Sequence, residues 1–193
     1  MDENLVMIRH ERSKKDFPFL TLEDDEYVEF AFVRAKICYM MIVGGVAAGL
    51  IVVLLLFLMI LLGQSTLDAM GRNFMYIILA TLVATALLAG LIATMVFRGN
   101  RLYVTNKHAI QLIMKSPVVK SVNIIDLASI EDASFHQSGL IQTMFHYGTF
   151  RLSTVGDETT YTFPFSDIKP SELKSVSKLI SAAKEKKATA KKD

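Results

Sequence analysis

Arg98, Arg101, Lys107, His108 and Lys115 follow directly on an apolar run of this chain, with Lys120 a few residues on. Cations in that position have a ready use, because each Lys or Arg beside an anionic leaflet contributes about 1 kcal/mol of attraction. The first five are candidate contacts for lipid headgroups. The same residues also obey the positive-inside bias, and orientation is the preferred reading over recognition. A second set, Phe135, Leu140, Ile141, Met144, Phe145 and Tyr147, clusters around Gly139 and Gly148. Most of these read as core, and any that stand exposed would form a contact surface for another protein or for the bilayer.

Catalytic sets are harder to find. Glu131 and Asp132 are neighbours that point to opposite faces of a strand, so they make poor partners for acid and base work. His136 and His146 flank a turn without a third ligand at zinc spacing. The acidic run from Glu23 to Glu26 reads as a solvated helix cap rather than a metal site. Neither a GxGxxG nor a GxxxxGK[ST] phosphate loop occurs. The expectation is a chain without enzymatic activity, cofactor, metal or small-molecule substrate.

Two uncharged apolar runs, residues 37–62 and 74–97, set the frame for these groups. At about 1.5 Å per residue they give roughly 39 and 36 Å of helix, enough to cross a hydrocarbon core about 30 Å thick. Neither run holds an ionisable residue, which counts against a proton or ion path. Arg34 and Lys36 precede the first run, Arg98, Arg101 and Lys107 follow the second, and only Arg72 lies in the link 63–73. Both termini are therefore expected on the cytoplasmic side of an inner membrane. Gly45 and Gly49 form a GxxxG in the first run, and Ala86 and Gly90 line one face of the second. Small residues let backbones approach, so these four are expected to pack the two helices together.

The chain of 193 residues carries 21 basic and 19 acidic side chains, for a net charge of +2, a balance that does not point to nucleic acid. A single cysteine, Cys38, rules out an intramolecular disulfide. Residues 1–20 show no clear period and read as irregular. Thr21 and Asp24 resemble a capping box, and Tyr27, Phe30, Val33 and Ile37 recur at three- and four-residue steps, predicting a juxtamembrane helix from about Leu22.

After Phe97 the pattern alternates. Leu102 and Val104, then Ile110, Leu112 and Met114, then Val118, Val122 and Ile124 predict half-buried strands in a meander. Phe150, Leu152 and Thr154, a turn at Gly156 and Asp157, and Tyr161, Phe163 and Phe165 predict another hairpin. Pro170 then opens an amphipathic helix with Leu173, Val176, Leu179, Ile180 and Ala183 on one stripe. The division expected is an N-terminal cytoplasmic segment (1–36), a transmembrane hairpin (37–97), a strand-rich domain (98–187) and a disordered basic tail (188–193).

Two spans, six or seven antiparallel strands and one C-terminal helix resemble the small bacterial membrane proteins that carry a pleckstrin-homology-like domain. Three motifs carry the resemblance: Arg101-Leu102-Tyr103-Val104-Thr105-Asn106, Ser129-Ile130-Glu131-Asp132-Ala133 and Phe145-His146-Tyr147-Gly148-Thr149-Phe150. The chain departs from the family pattern at His108, where an arginine is common, and at Lys115-Ser116-Pro117, where a glycine commonly ends the strand. The resemblance implies an α+β fold: a bent antiparallel sheet capped by the C-terminal helix, on a scaffold that binds lipid headgroups, peptides or proteins. The expected function is a membrane-anchored module for protein interaction or self-assembly, with a partner protein or a homo-oligomer as its counterpart. Anionic-lipid recognition, or a role as accessory subunit of a membrane complex, is the alternative.

Overall fold

The computed structural model describes residues 3–62, 68–154 and 160–190. Elements run α1 (Glu3–Asp16), β1 (Val28–Val33), α2 (Lys36–Leu62), α3 (Ala69–Gly99), β2 (Arg101–Thr105), β3 (His108–Met114), β4 (Lys120–Asp126), a 3-10 turn, β5 (Ile130–His136), α4 (Leu140–Met144), β6 (Gly148–Thr154), β7 (Thr160–Ser166) and α5 (Pro170–Ala190). The fold is α+β. The chain divides into two compact units: residues 36–97, which are α2 and nearly all of α3, lie in one, and all the strands, with Arg98 and Gly99, lie in the other.

The helical unit consists of two rods with mean hydropathy 3.1 and 2.4, each long and apolar enough to span a membrane. Asp68 caps α3, its Oδ1 accepting the Gly71 N–H at 2.9 Å, so this helix begins five residues before the apolar run expected at residue 74. Val46 of α2 sits over Gly90 of α3, where a Cβ would fall 2.8 Å from Val46 Cγ2. Tyr39 and Phe97, and Phe57 and Tyr76, meet across the pair at 6.4 and 5.9 Å. Gly45 and Gly49 have no other group within 4 Å of where a Cβ would stand, so the GxxxG of α2 is not what packs the pair. The expected link at 63–73 falls partly outside the described residues, as does the turn at Gly156 and Asp157.

In the other unit, a four-stranded sheet ordered β1-β2-β3-β4 faces a three-stranded sheet ordered β5-β6-β7, every pairing antiparallel. An isolated bridge, Arg34 to Ser166, joins their edges. The core between them gathers Phe32, Leu102, Val104, Leu127, Ile130, Phe150, Leu152 and Phe163, and α5 lays Val176 and Ile180 onto it. The Pro170 start and the stripe on α5 agree with the sequence, but this helix extends to Ala190, three residues into the stretch expected as a disordered tail.

Two expectations for the N-terminal segment are corrected. Residues 3–16 form a helix rather than an irregular stretch. The segment expected as a juxtamembrane helix is strand β1, paired with β2 from Val28 opposite Thr105 to Val33 opposite Arg101. Its sequence Val-Glu-Phe-Ala-Phe-Val also alternates, and Phe30 and Phe32 stack on one face at 5.8 Å. That period-two pattern, with a partner strand available, wins over the helical spacing. The strand-rich unit is thus discontinuous: α2 and α3 are inserted, along the chain, between two strands that pair with each other.

The segment before β1 also explains why β2 is buried on both faces. Leu102 and Val104 point into the main core, whereas Tyr103 points outward, where Leu20 and Leu22 cover it together with Ile110. Phe17 stands edge-on to Tyr103 at 5.1 Å.

Candidate functional site

The five basic candidates separate into two pairs, with Lys115 outside both. Arg98 and Arg101 line a groove of about 350 Å³. Phe19, Leu112, Met114, Val122 and Lys120 are also among its lining residues. Among the described residues, no lining side chain is acidic. Local sequence builds this place. Asn100, buried at the start of β2, donates its amide to the Met114 carbonyl at 3.0 Å and accepts the Met114 N–H at 3.2 Å, which fixes the end of β3 beside the end of α3. Gly99 makes room for the Met114 thioether, which a Cβ would meet at 2.6 Å. Arg101 is held over the Phe19 ring at 5.9 Å and donates to the Tyr103 hydroxyl at 3.3 Å. Such stacking leaves a guanidinium charged and oriented. Lys115 lies one residue beyond Met114, exposed in the β3–β4 connection and outside the lining.

Lys107 and His108 belong elsewhere. The Lys107 ammonium is 3.3 Å from Glu23 Oε2 and donates to the Asp24 carbonyl at 2.9 Å. His108 Nδ1 is 2.9 Å from Glu26 Oε1. Glu26 is only 1% exposed. Burial pushes its carboxyl up, but hydrogen bonds from the Thr105 hydroxyl, the Glu23 N–H and His108, with the His108 charge, outweigh that effect and hold it below its ordinary value of 4.5. Asn106 completes the joint, accepting the Tyr27 N–H and donating to the Asp25 carbonyl, both at 3.0 Å. Glu23, Glu26 and His108 bring ligand atoms within 4.8 Å of one another, a spacing metal ions use, and the Lys107 ammonium provides a cation beside Glu23. This cluster ties the β2–β3 turn to the N-terminal segment. Sequence reading missed it because the partners are some eighty residues apart and Glu26 sits in what looked like a solvated acidic run.

The aromatic cluster also divides. Phe135 packs against the main core and Tyr147 is buried, its ring 6.3 Å from Phe165. Leu140, Ile141, Met144 and Phe145, on and just after the single-turn helix α4, are 90, 55, 66 and 41% exposed. They form an apolar finger between β5 and β6. His136 and His146 are both exposed at its base. On α3, Gly90 lies against Val46, and Ala86 is half-buried.

No protein-family model matches the chain, and no curated protein matches it. Among solved structures, it is similar to a DUF1696 family protein with a pleckstrin-homology domain from Shewanella loihica PV-4. The identity is 14% and the TM-score 0.30, over 44% of this chain and 70% of that one.

Proposed function

We propose that this chain is a two-span membrane protein. Its strand-rich unit, a pleckstrin-homology-like module without catalytic activity, faces the cytoplasm and binds the phosphate of an anionic lipid in the groove of Arg98, Arg101 and Lys120. One observation carries the reading. Three cations and several apolar side chains line one groove, with no acid among the described lining residues, at the end of a helix apolar enough to span a bilayer. Phosphate needs the cations, an acyl chain or glycerol backbone suits Phe19, Leu112 and Val122, and the covalent link to α3 keeps the groove near lipid. The seven strands in sheets of four and three, closed by α5, support the pleckstrin-homology-like assignment. The arginines and lysines flanking the apolar helices support the orientation.

The test is native mass spectrometry of the full chain released from detergent with phosphatidylglycerol or phosphatidylcholine. Wild type retains phosphatidylglycerol preferentially. Replacing Arg98, Arg101 and Lys120 together by Gln removes about 3 kcal/mol and the preference falls on the order of 100-fold. Equal retention by the variant contradicts the reading.

Self-assembly or partner binding is a second reading. Val122 and Ile124 are exposed on β4, an edge strand, with Val119 exposed just before it, and an exposed apolar edge is a template for another chain. A protein that stays monomeric at every concentration in mild detergent, and pulls down no partner, contradicts it.

A further inference from the structure

The exposed finger on α4 has a construction that goes beyond an unpartnered apolar patch. From Ala133 to Phe150 the chain carries no Asp, Glu, Lys or Arg. Several polar groups of the finger bond one another. The Ser138 N–H donates to the Gln142 side chain at 2.7 Å, the Thr143 hydroxyl to the Gly139 carbonyl at 3.1 Å, and the Gln137 amide to the Tyr147 carbonyl at 3.3 Å. The Thr143, Phe145 and Tyr147 N–H groups donate to Gly139, Ile141 and Gln142 carbonyls. Gly139, at φ +88°, makes the turn that starts the helix. Leu140, Ile141, Met144 and Phe145 stand exposed on this turn.

With no Asp, Glu, Lys or Arg over this stretch, the finger can enter an apolar phase without burying a carboxylate, ammonium or guanidinium. Position points the same way. The Tyr147 ring, at the base of the finger, rests on Phe165. The Phe165 carbonyl accepts the Ala35 N–H at 2.6 Å, and the Arg34 guanidinium lies over the Phe165 ring at 5.7 Å. Lys36, the next residue, begins the apolar helix α2.

We infer that Leu140, Ile141, Met144 and Phe145 insert into the bilayer interface, as a second, non-covalent membrane contact of the strand-rich unit beside the point where its chain enters α2. The inference rests on the membrane-anchored reading of α2 and α3, though not on the basic groove.

The chain contains no tryptophan, which makes an introduced one a clean reporter. Leu140→Trp, Met144→Trp, Leu82→Trp on α3 and Lys178→Trp on the exposed face of α5 are each placed in the full protein, in nanodiscs of phosphatidylcholine with brominated acyl chains. Leu140→Trp and Met144→Trp are expected to lose most of their emission relative to unbrominated discs and to emit further to the blue than Lys178→Trp. Leu82→Trp reports the anchor. If Leu82→Trp is quenched and both finger reporters match Lys178→Trp, the finger inference is overturned while the anchor stands. If Leu82→Trp also escapes quenching, both fail. Finger reporters that are blue-shifted but unquenched would mean that protein, such as a second copy, covers the finger, which also overturns the inference.

Discussion

The Thr105 hydroxyl donates to Glu26 Oε1 at 2.6 Å, joining the turn that ends β2 to a carboxylate 79 residues earlier in the chain. The two residues are both buried, and between them the chain runs through both apolar helices. Glu26→Ala leaves the Glu23 N–H and His108 without this acceptor and the Thr105 hydroxyl with the His108 carbonyl alone, so the strand-rich unit should lose about 3 kcal/mol in chemical denaturation. The pH dependence follows from a folded-state pKa below 4.5. Stability from the ionised Glu26 is fully present above that ordinary value and drains away as pH falls through the lower folded-state value. Glu26→Gln should therefore melt lower than wild type at neutral pH, with the gap narrowing below pH 4.5. A constant gap down to the acid limit would refute the role assigned to the carboxylate.

Lys107 should be silent in lipid binding. Its charge is spent on Glu23 and the Asp24 carbonyl, both partly exposed, so Lys107→Ala should cost no more than about 1 kcal/mol of stability. Phosphatidylglycerol retention should stay at the wild-type level, unlike that of Arg101→Gln. A loss equal to that of Arg101→Gln would return Lys107 to the binding site.

The pairing of Val33 with Arg101 predicts that the helical hairpin can be excised. Residues 3–35 joined by a short Gly-Ser linker to 98–190 should give a soluble, cooperatively unfolding protein. Residues 98–190 alone should not, because they lack β1 and the burial of Phe32, a loss on the order of 3 to 5 kcal/mol by itself. Circular dichroism melts of the two fragments decide between a continuous and a discontinuous unit.

In the helical pair, Gly90→Leu should destabilise by about 1 to 3 kcal/mol, since its side chain collides with the stiff Val46 across the pair. Gly45→Leu, with open space at its Cβ position, should be close to neutral. Thermal melts in detergent compare them, and equal losses would mean that both helices present glycine to the same contact.

What could be read from the sequence was whatever local periodicity controls: the two apolar helices, the alternation of β2 to β4, and the stripe on α5 from Leu173 to Ala183. What could not was decided by partners distant in the chain. Residues 28–33 fit both a helical and a strand period, and only β2 selects between them. Tyr103 looked like the outer face of a half-buried strand until Phe17, Leu20 and Leu22 were found over it. The basic residues illustrate the same limit for the site. Arg98, Arg101, Lys107, His108 and Lys115 are close in sequence, yet the β2–β3 hairpin sends Lys107 and His108 to the opposite end of the strands from Arg98 and Arg101. Phe19, which lines the same groove, lies 79 residues before Arg98 and carried no signal of its own.

The central claim concerns where an anionic lipid rests, and photolabelling tests it most directly. Full-length protein in bilayers containing a phosphatidylglycerol with a photoactivatable group near the glycerol is irradiated, digested and mapped by mass spectrometry. The account predicts label on Phe19, Met114 and Val122, lost when Arg98, Arg101 and Lys120 are replaced by Gln. Label confined to α2 and α3, unchanged by those substitutions, would contradict it.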